Sequence, residues 1–339
     1  MFESLNVDTY INGYNISHIS CVDIPIAGAS GYFNYDNYFF YCFYYSFFNN
    51  WTKIDTKQFL EFKNLILEKL GLEMRPNSVK NRSELIGTVK NQLKDKCPLI
   101  MIAKYKDLFY DKGSNSDHGI LITGYDSIKS SIIIRDFVHI REAISPVIRA
   151  DILCKLQLSE DIFSTTWEEV NTSFKKDKSI NFNTIYSVHK RSEPLISTYG
   201  DIIEDLLLNY GFSDNKLVRL IEDFDLIYET FKDDNKVEYY RRIFHGSLTI
   251  LFEVLEKGLI ISKLNERDRI CLKEFKEKYI KYRYMLLAKL STEVLRGNII
   301  TESKKVEFIS QIYSLDNELM QMVKRYYNHK NNHETTINI

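Results

Sequence analysis

Apolar positions in the first 192 residues come in short β-branched runs broken by polar clusters. "PLIMIAKY" (98–105), "HGILITGY" (118–125), "SIIIRDF" (131–137) and "NTIYSVHK" (183–190) have the length and composition of strands. "DTKQFLEFKNLILEKLG" (55–71) and "SVKNRSELIGTVKNQLKDK" (78–96) repeat their apolar residues at helical spacing instead. Strands and helices mixed in this order predict an α+β domain over 1–192. "YFFYCFYYSFFNNW" (38–51) alternates poorly as a strand. As a helix it carries aromatic rings on every side, which predicts a core helix buried between layers.

After Pro194 the strand signals stop. Leu217, Leu220, Ile221, Phe224, Ile227, Tyr228 and Phe231 fall on one helical stripe within 214–231. Further helices are expected at about 236–262, 267–296 and 302–327, with Gly297 as the stop of the third. Residues 193–327 therefore predict a helical bundle. The polar tail 328–339 predicts a flexible end, and its His329 and His333, four apart, lack a third metal ligand nearby.

Composition narrows the function classes. The chain is 44% apolar and 27% charged with a formal net charge of -1, which leaves no electrostatic footprint for nucleic acid or an anionic membrane. Its five cysteines, Cys21, Cys42, Cys97, Cys154 and Cys271, are widely spaced, odd in number and without a CxxC pair. That argues against a disulfide framework or a zinc site and fits a reducing cytosol. The opening "MFESLNVDTY" lacks the basic and apolar regions of a signal peptide, so a cytoplasmic protein is expected.

The chemistry concentrates in "SDHGILITGYD" (116–126). A hairpin centred on residue 127 would face Ile120 with Ile134, Leu121 with Ile133 and Ile122 with Ile132. It would also set His118 directly opposite Asp136, with Cβ atoms about 4.5–5.5 Å apart. Asp136 would then fix the tautomer of His118 and stabilise its protonated form. Two readings stand for this pair: a closed strand end, or a general base with its orienting carboxylate. Upstream, Cys21 stands just before an expected helix, where exposed amides favour a thiolate and could hold an oxyanion. Pro25 fits a helix N-capped by Asp23 better than one starting at Cys21. The other four cysteines read as small buried hydrophobes.

The order Cys, then His heading an apolar strand, then Asp one strand later resembles the papain-like fold in its C39-like branch. "CVDIPIAGASGYFNYDNYFFY" and "HGILITGYDSIKSSIIIRD" resemble, more narrowly, the butirosin biosynthesis protein H family, over roughly residues 10–190. The resemblance implies a papain-like antiparallel sheet and a cysteine acyltransferase. Such an enzyme takes an acyl group from a phosphopantetheine thioester on a carrier protein and passes it to an amine, forming an amide. It implies Cys21 as nucleophile, His118 as base and Asp136 as orienting residue, with no metal and no dissociable cofactor. Where papain-like enzymes often carry an oxyanion-holding Gln, this chain has Asn15, with Ser17 and His18 as other candidates. A peptidase or thioesterase of the same fold, and a non-catalytic interaction scaffold, are the rival expectations.

Overall fold

In the computed structural model the period-two runs of the first half pair into one antiparallel sheet. The structure describes residues 2–5, 7, 19–20, 22–48, 56–104, 117–141, 149–174, 183–210, 218, 221–222, 250–259, 264–298 and 300–334, with side chains at most of them. Two compact units result: residues 1–46 with 52–197, and residues 47–51 with 198–339.

The first unit runs β1 (Phe2–Ser4), α1 (Asp23–Phe33), α2 (Asn37–Phe48), α3 (Thr56–Lys69), β2 (Leu72–Ser78), α4 (Arg82–Lys94), β3 (Leu99–Lys104), β4 (Asp117–Asp126), β5 (Ser131–Arg141), β6 (Arg149–Ser159), α5 (Glu160–Phe174) and β7 (Thr184–Lys190). The sheet order is β2-β7-β3-β4-β5-β6, and β1 pairs with the end of β4 that β3 leaves free. All four expected strands form, as do both expected helices. The helix expected at 78–96 is shorter, because residues 72–78 are the edge strand β2 and Asn81 caps α4 by accepting the Glu84 N–H at 3.0 Å. Pro76 hides β2 from a sequence reading, yet an edge strand tolerates a missing donor. β1, β6 and α5 also form where the sequence analysis assigned nothing.

Helices cover both faces of this sheet. A Cβ added to Gly28 of α1 would stand 3.0 Å from Leu121 Cδ2, so α1 lies on the face that carries Leu121. Tyr125, cross-strand to Ile132, meets the α4 and α5 side: its ring takes Lys90 Nζ at 4.2 Å from the centroid, and its hydroxyl donates to Glu160 at 2.6 Å. Residues 38–45 of α2 are all buried, five of them at 1% exposure or less, as an aromatic core helix requires. Gly71 ends α3 at φ +70°, where its carbonyl accepts the Arg191 and Ser192 N–H groups at 2.8 and 3.1 Å. A Cβ there would sit 2.6 Å from the Ser192 carbonyl oxygen. Gly71→Ala is therefore expected to cost at least about 1–2 kcal/mol from the left-handed backbone alone. Thermal denaturation checks this, and an unchanged midpoint would contradict it.

In the second unit α6 (Tyr199–Asp205) starts on a reciprocal cap, Thr198 Oγ1 accepting the Asp201 N–H and Asp201 accepting the Thr198 N–H. Two long helices follow, α7 (Glu266–Leu295) and α8 (Glu302–Glu334). They run antiparallel, as the Lys278–Glu318 and Arg283–Asp316 pairs show. Gly297, at φ +68°, makes the turn between them as the sequence predicts. α8 runs on through Glu334, so the backbone is helical over 328–334, the first part of the tail expected to be flexible. Val218, Ile221, Leu286, Leu287, Leu290, Ile300, Phe308 and Ile312 form one core cluster. Within 214–231 the described residues are Val218, Ile221 and Glu222, and of these Ile221 belongs to the expected stripe. No described helix is long and apolar enough to cross a membrane.

Candidate functional site

The first turn of α1 is fixed by a buried polar cluster. Ser20 Oγ accepts the Asp23 N–H at 3.1 Å and donates its own hydroxyl to Asp23 Oδ2 at 2.5 Å. The Asp23 and Ile24 N–H groups reach the Ser20 carbonyl at 3.0 and 3.1 Å. Ser20 thus satisfies the orphan donors of the helix start. This corrects the expectation that Asp23 would be the N-cap: Asp23 is the first helical residue, and its carboxylate is drawn inward by stronger donors. Its Oδ1 accepts from Tyr41 Oη at 2.7 Å and from Lys63 Nζ at 2.5 Å. Asp23 and Lys63 are each 2% exposed, and the ammonium also stands 4.9 Å from the Tyr45 ring centroid and 5.1 Å from that of Phe62. A charge so buried persists only because it is paired and hydrogen-bonded.

This cluster sets its neighbours' chemistry. Burial, with the Asp23 carboxylate beside it, pushes the Tyr41 hydroxyl well above its usual range. Burial and Asp23 likewise push the Cys42 thiol up, so Cys42 stays protonated and inert, as its reading as a buried hydrophobe expects. Cys97 is buried too, but its sulfur is hydrogen-bonded to His189 rather than simply packed. Cys271 is exposed, which corrects its reading as a buried residue: it lies on the solvent side of α7. Cys154 has no described side chain.

Of the residues singled out from the sequence, Cys21, Asn15, Ser17 and His18 lie outside the described residues, and so does the Asp136 side chain. His118 is described: 7% exposed, at the entry of β4, opposite Ala103 of β3. The expected register of the hairpin is corrected. Ile122 pairs with Ile134, Leu121 with Arg135 and Tyr125 with Ile132. Two local features decide this. Asp126 Oδ1 accepts the Ile128 and Lys129 N–H groups, and this turn closes the hairpin at Asp126–Ser131. A bulge between Ile122 and Gly124 then inserts Thr123 as an extra residue. The ladder ends at Leu121–Arg135, and continuing it would set position 136 opposite Ile120. His118 and position 136 thus share a face by the strand period but are diagonal neighbours, not a direct pair.

Faces matter further. Regular β3–β4 pairing from Lys104–Asp117 to Leu99–Ile122 puts His118 on the face opposite Leu121, and α1 lies on the Leu121 face. Among the described residues no group of three or more His, Cys, Asp or Glu side chains could hold a metal ion. The Ser20–Asp23–Tyr41–Lys63 cluster was missed at the level of sequence, since nothing in the spacing of residues 23, 41 and 63 brings three helices to one point. A polar residue beside the first apolar run of a helix, paired with a lysine on an otherwise apolar helix face, was the only signal. The chain matches no family model and no curated protein.

Proposed function

We propose that the chain is a papain-like, thiol-dependent acyltransferase that forms amides, with Cys21, His118 and Asp136 as its reacting group. His118 takes the Cys21 proton, and the thiolate attacks an acyl thioester carried on a phosphopantetheine arm. The carrier sulfur leaves as a thiol with that proton from His118, and the acyl-cysteine is attacked by an amine that gives up its proton to His118 as the Cys21 sulfur departs. The observation that carries this reading is the β4–β5 pair, which keeps a buried histidine and position 136 on one face at the open end of the ladder. The buried anchor of α1 supports it, because Ser20 and Asp23, close to Cys21 in the chain, are held by hydrogen bonds to each other and to Tyr41 and Lys63. Partners of this chemistry are an acyl carrier protein and an amine; the reducing cytosol is the compartment that suits a free thiol.

The test is incubation of the whole chain with an acyl group on a phosphopantetheinylated carrier protein, with and without a panel of amines. The expected result is an acyl adduct on Cys21 by peptide mass spectrometry and amide in excess of free acid. Water outcompeting every amine would convert the reading to a cysteine hydrolase. No adduct at Cys21 would sink both. One observation favours a second reading, a non-catalytic interaction scaffold: α1 covers the sheet face that His118 does not occupy. On that reading Cys21 is alkylated no faster than an ordinary exposed thiol.

A further inference from the structure

Cys97 owes its place to the end of α4. The helix closes on a left-handed residue, Lys96 at φ 59°, with the Lys96 N–H bonded to Leu93 O at 3.0 Å and the Cys97 N–H to Gln92 O at 2.9 Å. Pro98 follows, and β3 begins at Leu99. Cys97 is thereby pinned between a helix end and a strand start, facing β7. There its Sγ stands 3.2 Å from His189 Nδ1. On the far side of the ring, His189 Nε2 lies 2.7 Å from Ser187 Oγ, and Ser187 Oγ accepts the Asn77 side-chain N–H of β2 at 2.9 Å. Ser187 and His189 are two apart on β7 and share a face, and Arg75 and Glu73 stand opposite them on β2. The result is a nucleophile, a base in contact with it, and two residues holding the base: the arrangement that activates a cysteine or serine in catalysis.

The resting electrostatics define how such a sulfur would react. Burial, then Asp95, pushes the Cys97 thiol up, with Arg75 opposing. Burial, then Arg75, pushes the His189 imidazole down, with Glu73 and Asp95 opposing. The pair therefore rests as thiol and neutral imidazole, and the proton must move as the sulfur attacks. A residue only 7% exposed admits a very small electrophile, not a carrier-tethered acyl chain. Cys42, Cys97 and Cys271 are all free, so no described cysteine is bonded to the sulfur.

We propose that Cys97 is a base-activated thiol, separate from the chemistry at Cys21, that a small hydroperoxide oxidises to a sulfenic acid. The sulfur attacks one peroxide oxygen; the S–O bond forms and the O–O bond breaks. The thiol proton passes to His189 Nδ1 and then to the departing hydroxide, giving water. Sulfur is oxidised and the peroxide reduced, with thiol plus hydrogen peroxide giving sulfenic acid plus water. Ser187 and Asn77 act as positioning residues that hold the imidazole toward the sulfur.

The experiment treats the full chain with limiting hydrogen peroxide, then unfolds it in dimedone so that the trap reaches every sulfenic acid, and reads each cysteine by peptide mass spectrometry. Buried Cys97 is expected to label ahead of exposed Cys271, the reverse of the order that exposure alone would give. His189→Gln should slow labelling at Cys97 by roughly 10²-fold, the lower end of what a general base contributes, with Cys271 unchanged. Ser187→Ala, which keeps the imidazole, should slow it less and keeps the test alive if His189→Gln fails to fold. Cys271 labelling first in the wild-type chain would overturn the proposal, as would an unchanged Cys97 rate in a folded His189→Gln or Ser187→Ala variant.

Discussion

Asp23→Ala is expected to cost about 3–5 kcal/mol, the typical effect of removing one partner of a buried ion pair. The substitution takes from the buried Lys63 ammonium the carboxylate 2.5 Å away, and it removes the acceptor of the Tyr41 and Ser20 hydroxyls. Its size reflects the cost of a buried ammonium losing that carboxylate more than any intrinsic worth of the pair. Asp23→Leu combined with Lys63→Met is therefore expected to be far closer to the wild-type chain than either single change. Urea unfolding followed by Trp167 fluorescence, in a Trp51→Phe background, reports on the sheet-bearing unit. A loss below about 1 kcal/mol for Asp23→Ala, the range of exposed pairs, would show that water already reaches this carboxylate.

Cys21→Ala is expected to lower amide formation by at least ~10³-fold, since the proposed acyl intermediate forms on its sulfur. His118→Gln should lower it by roughly 10²–10⁴-fold. The more telling measurement is alkylation of Cys21 by iodoacetamide at neutral pH. If His118 serves the thiol, the rate at Cys21 exceeds that at exposed Cys271 and falls in His118→Gln. If the opposite-face placement of α1 and His118 governs instead, Cys21 reacts no faster than Cys271 and His118→Gln changes nothing. That pattern would replace the acyltransferase by the scaffold.

Much of the architecture was legible because it follows from local rules. The runs at 98–105, 118–125, 131–137 and 183–190 are strands because β-branched residues of that length want a half-buried pleated surface, and the structure forms all four. Residues 38–45 are buried because a helix with rings on every side has no face left for water. What failed was geometry that one residue can change. Asp126 chose the turn and Thr123 added a bulge, and together they moved position 136 away from its expected place opposite His118. Hydrophobic alternation does not register an inserted residue when the neighbours on both sides remain apolar. Pro76 concealed β2 for a related reason: a breaker in the middle of a central strand is an ordinary residue on an edge.

Sequence by itself determined four of the strands, the helices α1 to α4, the passage from mixed elements to helices after Pro194, and the candidate thiol, imidazole and carboxylate, because residue type and period act over a few neighbours. Only the tertiary structure decided which side of the sheet each group occupies, and which polar groups survive burial by finding one another. Asp23, Tyr41 and Lys63 come from three helices, and Cys97, His189, Ser187 and Asn77 from three separate stretches of chain. Their energies depend on water being excluded from a shared space. That exclusion belongs to the packed fold and cannot be assigned to any one stretch of residues.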